Sequence, residues 1–166
     1  LSIMKITILG GGSWGTALAV HLASKQHDIK VWEFFEKQAE EMQEERVCQL
    51  LPEVELPSNI FITSNLKESL DDSELILVVV PSDKVEQTID KSKEFISKQP
   101  VIICSKGFAS NLKLLSAVVK EKVSGEVYCL YGPTHAEEVC KGMFSGIVLA
   151  GKDSSTKEVF ESDNLV

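Results

Sequence analysis

Short apolar runs alternate with amphipathic, charge-bearing stretches along almost the whole chain. The run "KITIL" (5–9) predicts a first strand, followed by an alanine-rich helix from about Ser13 to Ser24. "IKVWE" (29–33) predicts a second strand and "EKQAEEMQEERV" (36–47) a charged amphipathic helix. "CQLLPEVELPSN" (48–59), with its two prolines, reads as a loop. Next come a short strand "IFIT" (60–63) and a small helix "LKESL" (66–70), for which Asn65 and Glu68 supply an N-cap pattern. "ELILVVV" (74–80) has the unbroken apolar character of a strand buried on both faces. Pro81-Ser82 ends it and opens a helix reaching about Ser97. The pattern then repeats: strand "PVIICS" (100–105), helix "LKLLSAVVKEKV" (112–123), strand "EVYCLY" (126–131). A short helix "THAEEVCKG" (134–142), opened by Gly132-Pro133, and a strand "GIVLAG" (146–151) complete it.

Strands and helices alternating through short connections imply right-handed crossovers and an open, mostly parallel sheet. The expected fold class is doubly wound α/β, with the domain spanning 4–152. "KDSSTKEVFESDNLV" then begins a polar connection and a helix, so that 153–166 reads as the start of a link to something further.

Composition narrows the function classes. The chain has 166 residues, enough for about one domain with a real core. Seventeen basic against twenty-five acidic residues give a formal charge of −8 without any Lys/Arg block, which disfavours a nucleic-acid partner. The longest apolar run, "LILVVV" (75–80), falls far short of the ~20 residues of a membrane helix, and no signal-peptide pattern is present. Cys48, Cys104, Cys129 and Cys140 are widely spaced with no C-x-x-C pair, which argues against zinc and against a disulfide framework. Free thiols in a reducing cytoplasm are expected, with no metal and no membrane insertion.

The chemistry concentrates where the first strand meets the first helix. Gly10, Gly12 and Gly15 match G-x-G-x-x-G in the strand–turn–helix context that gives the pattern meaning. The first glycine permits the turn, the second lets a pyrophosphate approach the backbone, and the third allows close helix–strand packing. The helix N-terminus then offers unpaired N–H groups and a positive dipole end. The loop therefore predicts a Rossmann-type dinucleotide-binding domain. Glu33, 18 positions after Gly15, ends the second strand. A carboxylate there accepts hydrogen bonds from an adenosine ribose and repels a 2′-phosphate, favouring NAD over NADP; the alternative is a surface glutamate at a strand end.

In order along the chain come "GGGSWGTALA" (10–19), "VVVPS" (78–82), "SKG" (105–107) and "GPTHAEEVCKG" (132–142). With these the chain resembles the N-terminal cofactor domain of the NAD(P)-dependent glycerol-3-phosphate dehydrogenases, over essentially its whole length. The resemblance implies hydride transfer between NAD(P)H and dihydroxyacetone phosphate or sn-glycerol 3-phosphate, feeding glycerophospholipid synthesis. It places Ser13 and Trp14 beside the cofactor diphosphate, Phe34 against the adenine end, and Pro81 and Ala136 on the cofactor. Lys106 would reach both nicotinamide and substrate, while Gly132 and Thr134 would line the substrate pocket. The general acid/base lysine and the arginine gripping the substrate phosphate would belong to a helical C-terminal domain, leaving no catalytic acid/base in this chain. A homodimer is the implied assembly of the full enzyme. Gly11 stands where the family more often has alanine, a harmless difference at a variable position; His135 replaces a common phenylalanine. "EFF" (33–35) lacks the basic or polar residues of members preferring NADPH, so NAD is expected with NADP as the alternative.

Read from the residues, Ser82, Lys106 and the Gly132–Thr134 segment all follow strand ends and converge on one rim, where ligands of doubly wound folds sit. Lys106 is a cation suited to a developing alkoxide, or else a surface lysine beside a turn glycine. Thr134-x-x-Glu137 also reads as a capping box whose hydroxyl needs no ligand. His21 and His27 lie away from the rim as structural or solvated residues; His135 has the right place and residue type for acid/base work. Trp32 reads as core and the acidic run 36–46 as a solvated helix face. Two other functions remain open: a nucleotide-binding module without catalysis, and another two-domain dehydrogenase such as a ketopantoate reductase, against which "SKG" and "GPTHAEE" weigh.

Overall fold

The computed structural model describes residues 2–153, 156–162 and 165. Its first strand, β1 (Lys5–Leu9), runs into α1 (Ser13–Ser24), and β2 (Asp28–Trp32) into α2 (Glu36–Glu45). An antiparallel hairpin of β3 (Val47–Cys48) and β4 (Leu51–Glu55) follows, then β5 (Ile60–Thr63) and α3 (Leu66–Leu70). The chain continues through β6 (Leu75–Val78), α4 (Val85–Ser92), β7 (Val101–Ile103), α5 (Leu115–Lys120) and β8 (Val127–Tyr131). It ends with α6 (Ala136–Cys140), β9 (Val148–Ala150) and α7 (Lys157–Phe160). Seven strands form one sheet in the order β5-β2-β1-β6-β7-β8-β9. All neighbours are parallel except β8 and β9, which are antiparallel. The doubly wound, mostly parallel expectation is met.

Both faces of the sheet are covered. Leu75 and Leu77 of β6 pack into one layer with Ile8, Leu18 and Leu22. Ile76 and Val78 point the other way, into Val85, Ile89 and Val119. All four β6 side chains are fully buried, each stabilising the fold by ~1.5–3 kcal/mol over exposure. The strand order reverses between β1 and β6. Connections leave these neighbouring carboxyl ends in opposite directions, opening a crevice above them.

Several expected boundaries move. The segment read as a loop over 48–59 contains the β3–β4 hairpin. Its order comes from Arg46, which closes α2 in the left-handed conformation (φ +58°). The Arg46 guanidinium donates to Gln43 Oε1 (3.2 Å), Leu56 O (3.4 Å), Pro57 O (2.5 Å) and Ile60 O (2.7 Å), lashing the hairpin to the sheet. The helix expected over 112–123 is shorter, because Leu112 is left-handed (φ +60°) and Lys113 extended. Asn65 caps α3 as expected, its Oδ1 accepting the Glu68 N–H at 3.1 Å. Thr134 does not cap α6. His135 occupies that position without a side-chain hydrogen bond, so the capping-box expectation fails. Packing sets the start of this five-residue helix instead: Ala136 and Val139 are buried in the layer that holds α1.

Candidate functional site

The glycine loop lies at the reversal of strand order. The Gly10 N–H donates to Trp32 O (3.0 Å) at the end of β2. On its other side, a Cβ on Gly10 would stand 2.8 Å from the Val79 carbonyl carbon, just past β6. The backbone there is left-handed (φ +124°), so the turn suits glycine alone among the residue types. A Cβ on Gly15 would collide with the Gly10 carbonyl oxygen, which is the close helix-on-strand approach the motif predicts. Gly12 is different: a Cβ there meets nothing within 4 Å, so the backbone faces open space. Above it α1 begins with no side-chain cap and no acidic residue in its first turn. A bare, positive helix end with room in front of it is the chemistry of an anion seat.

From this loop a cleft of about 690 Å³ extends both ways. On one side its wall is Glu33, Phe34, Phe35, Gln38 and Leu50. The Glu33 side chain is buried, and its Oε1 accepts the Phe35 N–H at 3.1 Å. Phe34 is 60% exposed, edge-on to the rings of Trp32 (6.0 Å) and Phe35 (5.1 Å), with Lys91 Nζ 5.6 Å from its centroid. On the other side the wall comes from Val79–Pro81, Cys104–Lys106 and Thr134–Glu137. Ser105 Oγ donates to Val80 O at 2.5 Å, tying the chain after β7 to the chain after β6. Lys106 Nζ donates to Thr134 O (3.2 Å) and stands 5.4 Å from the centre of the Trp14 ring. Two buried polar atoms on this wall have no protein partner among the described residues: Trp14 Nε1 and Thr134 Oγ1.

Gly10, Gly12, Ser13, Trp14, Glu33, Phe34, Pro81, Lys106, Thr134 and Ala136 therefore line one cleft. Gly15 sits behind it as packing. Gly132 does not line it; a Cβ there would stand 2.6 Å from Gly146 O, so its lack of a side chain answers to the returning chain before β9. His135 is on the wall, whereas the other two histidines are not. His21 Nε2 donates to Phe160 O (2.8 Å), and His27 Nδ1 accepts the Met4 N–H (3.1 Å). Burial lowers both imidazole pKa values below the ordinary range. Trp32 is core, as its sequence context suggests. Gln38, Leu50 and Ser105 were not assigned from sequence. Leu50 lies at the hairpin tip, where Pro52 and Pro57 mask the strand pattern, and Ser105 carries no signal of its own inside "SKG".

The family described as NAD-dependent glycerol-3-phosphate dehydrogenase N-terminus matches residues 5–157. The chain belongs to this family. A glycerol-3-phosphate dehydrogenase [NAD(P)+] from Thermoanaerobacter sp. (strain X514) is 39% identical over 160 residues, covering 95% of this chain and 48% of the relative. The crystal structure of glycerol-3-phosphate dehydrogenase from Coxiella burnetii superposes with a TM-score of 0.93 at 31% identity, over 98% of this chain and 52% of that one. The enzyme of the same name from yeast, at 22% identity, shares the fold (TM-score 0.87; 99% and 55% covered). The chain spans about half the length of the curated relatives it matches. Among the described residues no helix is long and apolar enough to cross a membrane, and no cluster of His, Cys, Asp and Glu fits a metal ion.

Proposed function

We propose that this chain is the cofactor-binding half of an oxidoreductase that moves a hydride between NAD(P)H and dihydroxyacetone phosphate or sn-glycerol 3-phosphate. The observation that carries the reading is the single cleft joining the open glycine loop at one point to Lys106 and Thr134 at another. The residues fit a dinucleotide. Open space at Gly12 and the bare first turn of α1 suit a diphosphate, and the exposed Phe34 ring suits an adenine. The Glu33 carboxylate suits the hydroxyls of a ribose and opposes a 2′-phosphate, favouring NAD. Once bound, the nicotinamide supplies or accepts the hydride. Pro81 and Ala136 bound its side of the cleft.

The chain's own residues contribute binding and charge. Lys106 presents an ammonium group held by Thr134 O; a fixed cation beside a ketone oxygen that gains negative charge during reduction lowers the barrier. The unpartnered Thr134 hydroxyl is available to a substrate oxygen. The proton for the alkoxide and the grip on the substrate phosphate fall, on this reading, to a lysine and an arginine of a helical C-terminal domain of the enzyme. Cytoplasmic location and a homodimer complete the reading.

Titration with NADH and NADPH, followed by nicotinamide fluorescence, tests the cleft. The expected result is saturable binding with NADH the tighter, and NADH oxidation dependent on dihydroxyacetone phosphate in the full-length protein. A folded sample that binds neither nucleotide would overturn the reading.

A further inference from the structure

The second position of the glycine loop carries no expected role, yet the structure crowds it. A Cβ on Gly11 would stand 2.6 Å from Glu33 Oε2 and 3.2 Å from Glu33 Cβ. The first distance is inside any van der Waals contact, and the second is tighter than side chains ordinarily tolerate. The loop has little freedom to retreat. Thr16 Oγ1 (3.3 Å) and Cys48 Sγ (3.8 Å) both donate to the Gly11 carbonyl oxygen from buried positions in α1 and the hairpin. The neighbouring Gly10 is fixed between the ends of β2 and β6. The Glu33 backbone is held as well, its N–H donating to Thr63 O at 3.0 Å. What yields is the free end of the glutamate, whose Oε1 would leave the Phe35 N–H.

We propose that Gly11 is a specificity-determining position for the cofactor, acting through Glu33: its missing side chain is the space in which the Glu33 carboxylate lies against the loop. The inference rests on the dinucleotide reading of the cleft and adds a residue to it. Glu33 alone does not select against a 2′-phosphate; it does so only while Gly11 leaves it lying inward on the cleft wall, its Oε1 accepting the Phe35 N–H. A methyl group at 11 turns the carboxylate away and weakens both effects at once, its hydrogen bonds to ribose hydroxyls and its repulsion of a phosphate.

The test is the ratio of NADPH to NADH dissociation constants, measured by titration for the wild type, Gly11→Ala, Glu33→Gln and the double variant, each checked by thermal melting. Gly11→Ala is expected to reduce the ratio at least fivefold, Glu33→Gln to reduce it as well, and the double variant to match Glu33→Gln. A Gly11→Ala protein keeping the wild-type ratio, or two effects that simply multiply, overturns the proposal. Should Gly11→Ala melt too low to titrate, adding Glu33→Asp, one methylene shorter, is expected to recover both fold and NADH preference; recovery of neither also overturns it. A folded wild type that binds neither nucleotide fails the underlying reading instead, and one that binds both equally overturns the inference while leaving that reading intact.

Discussion

Thr134→Val removes a hydroxyl and leaves the outline of the side chain nearly unchanged. Thr134 is 5% exposed, and its Oγ1 has no hydrogen-bond partner among the described residues. Leaving a buried hydroxyl unpaired costs about 1–3 kcal/mol, and a methyl in its place gains up to about 0.8 kcal/mol of apolar burial. The valine variant should therefore be more stable without ligand by about 1–2 kcal/mol. For a domain of this size that raises the melting temperature by about 2–8 °C. The same change should harm function. If the hydroxyl meets a substrate oxygen, its loss raises the KM for dihydroxyacetone phosphate by up to about tenfold. Thermal melting of the ligand-free protein and steady-state kinetics of the full-length enzyme read the two effects separately. A lower melting temperature would show that the hydroxyl is paired in the fold. An unchanged KM beside a raised melting temperature would show a buried defect with no ligand to serve.

Other parts of the structure give equally definite expectations. Gly15→Ala drives a methyl into the backbone carbonyl of Gly10 and should cost about 3 kcal/mol in denaturant unfolding; a loss under about 1 kcal/mol would mean that α1 lifts off the loop easily. Lys106→Met keeps the apolar stem and deletes the charge; turnover with dihydroxyacetone phosphate should fall more than tenfold, or at least ~1.4 kcal/mol, with melting unchanged. Unaltered kinetics would remove Lys106 from the site. The pKa values of His21 and His27 are lowered in the fold, chiefly by burial, so below the ordinary imidazole pKa of about 6.5 the unfolded chain binds protons that the native state refuses. Stability should therefore drop as pH falls from about 7 to 5.5, and a flat melting profile there would contradict the burial argument. Glu53 and Asp90, held low by Lys141 and Lys122, add their losses only below about pH 4.5.

How much of this was legible depended on where each feature draws its energy. β6 announced itself because a strand buried on both faces must be apolar at every position, and Leu75–Val78 are. The loop was legible because its glycines carry a local signature: the positive φ at Gly10 and the close approach of Gly15 to the Gly10 carbonyl admit no other residue. The hairpin was not, since its order comes from Arg46 reaching Pro57 and Ile60, and nothing in the local pattern announces a distant guanidinium. Thr134 misled for a related reason. A capping box is a local signal, but α6 takes its start from packing in the α1 layer, one residue later than the box implies. Gly11 is the subtlest case. As a sequence position it is a free letter of the motif; its constraint appears only when Glu33, just past the end of β2, is brought against it.

The electrostatics of the cleft then follow from two sources that act at different ranges. The chain carries −8, and a dinucleotide diphosphate is itself an anion, so the long-range field of this half does not draw the ligand in. Attraction has to be local. On the proposed reading it comes from the start of α1, equivalent to about half a positive charge, and from the ammonium of Lys106 at the far wall. The acid nearest the loop, Glu33, lies against Gly11 on the wall that continues to Phe34 and Phe35, where a ribose would offer only neutral hydroxyls and a 2′-phosphate would bring a charge. On the proposed reading, one wall attracts the charged centre of the ligand while the other discriminates its edge. That division works only if the carboxylate stays where Gly11 leaves room for it: turned toward α1 it would cancel the anion seat, and turned to solvent it would no longer tell one nucleotide from the other.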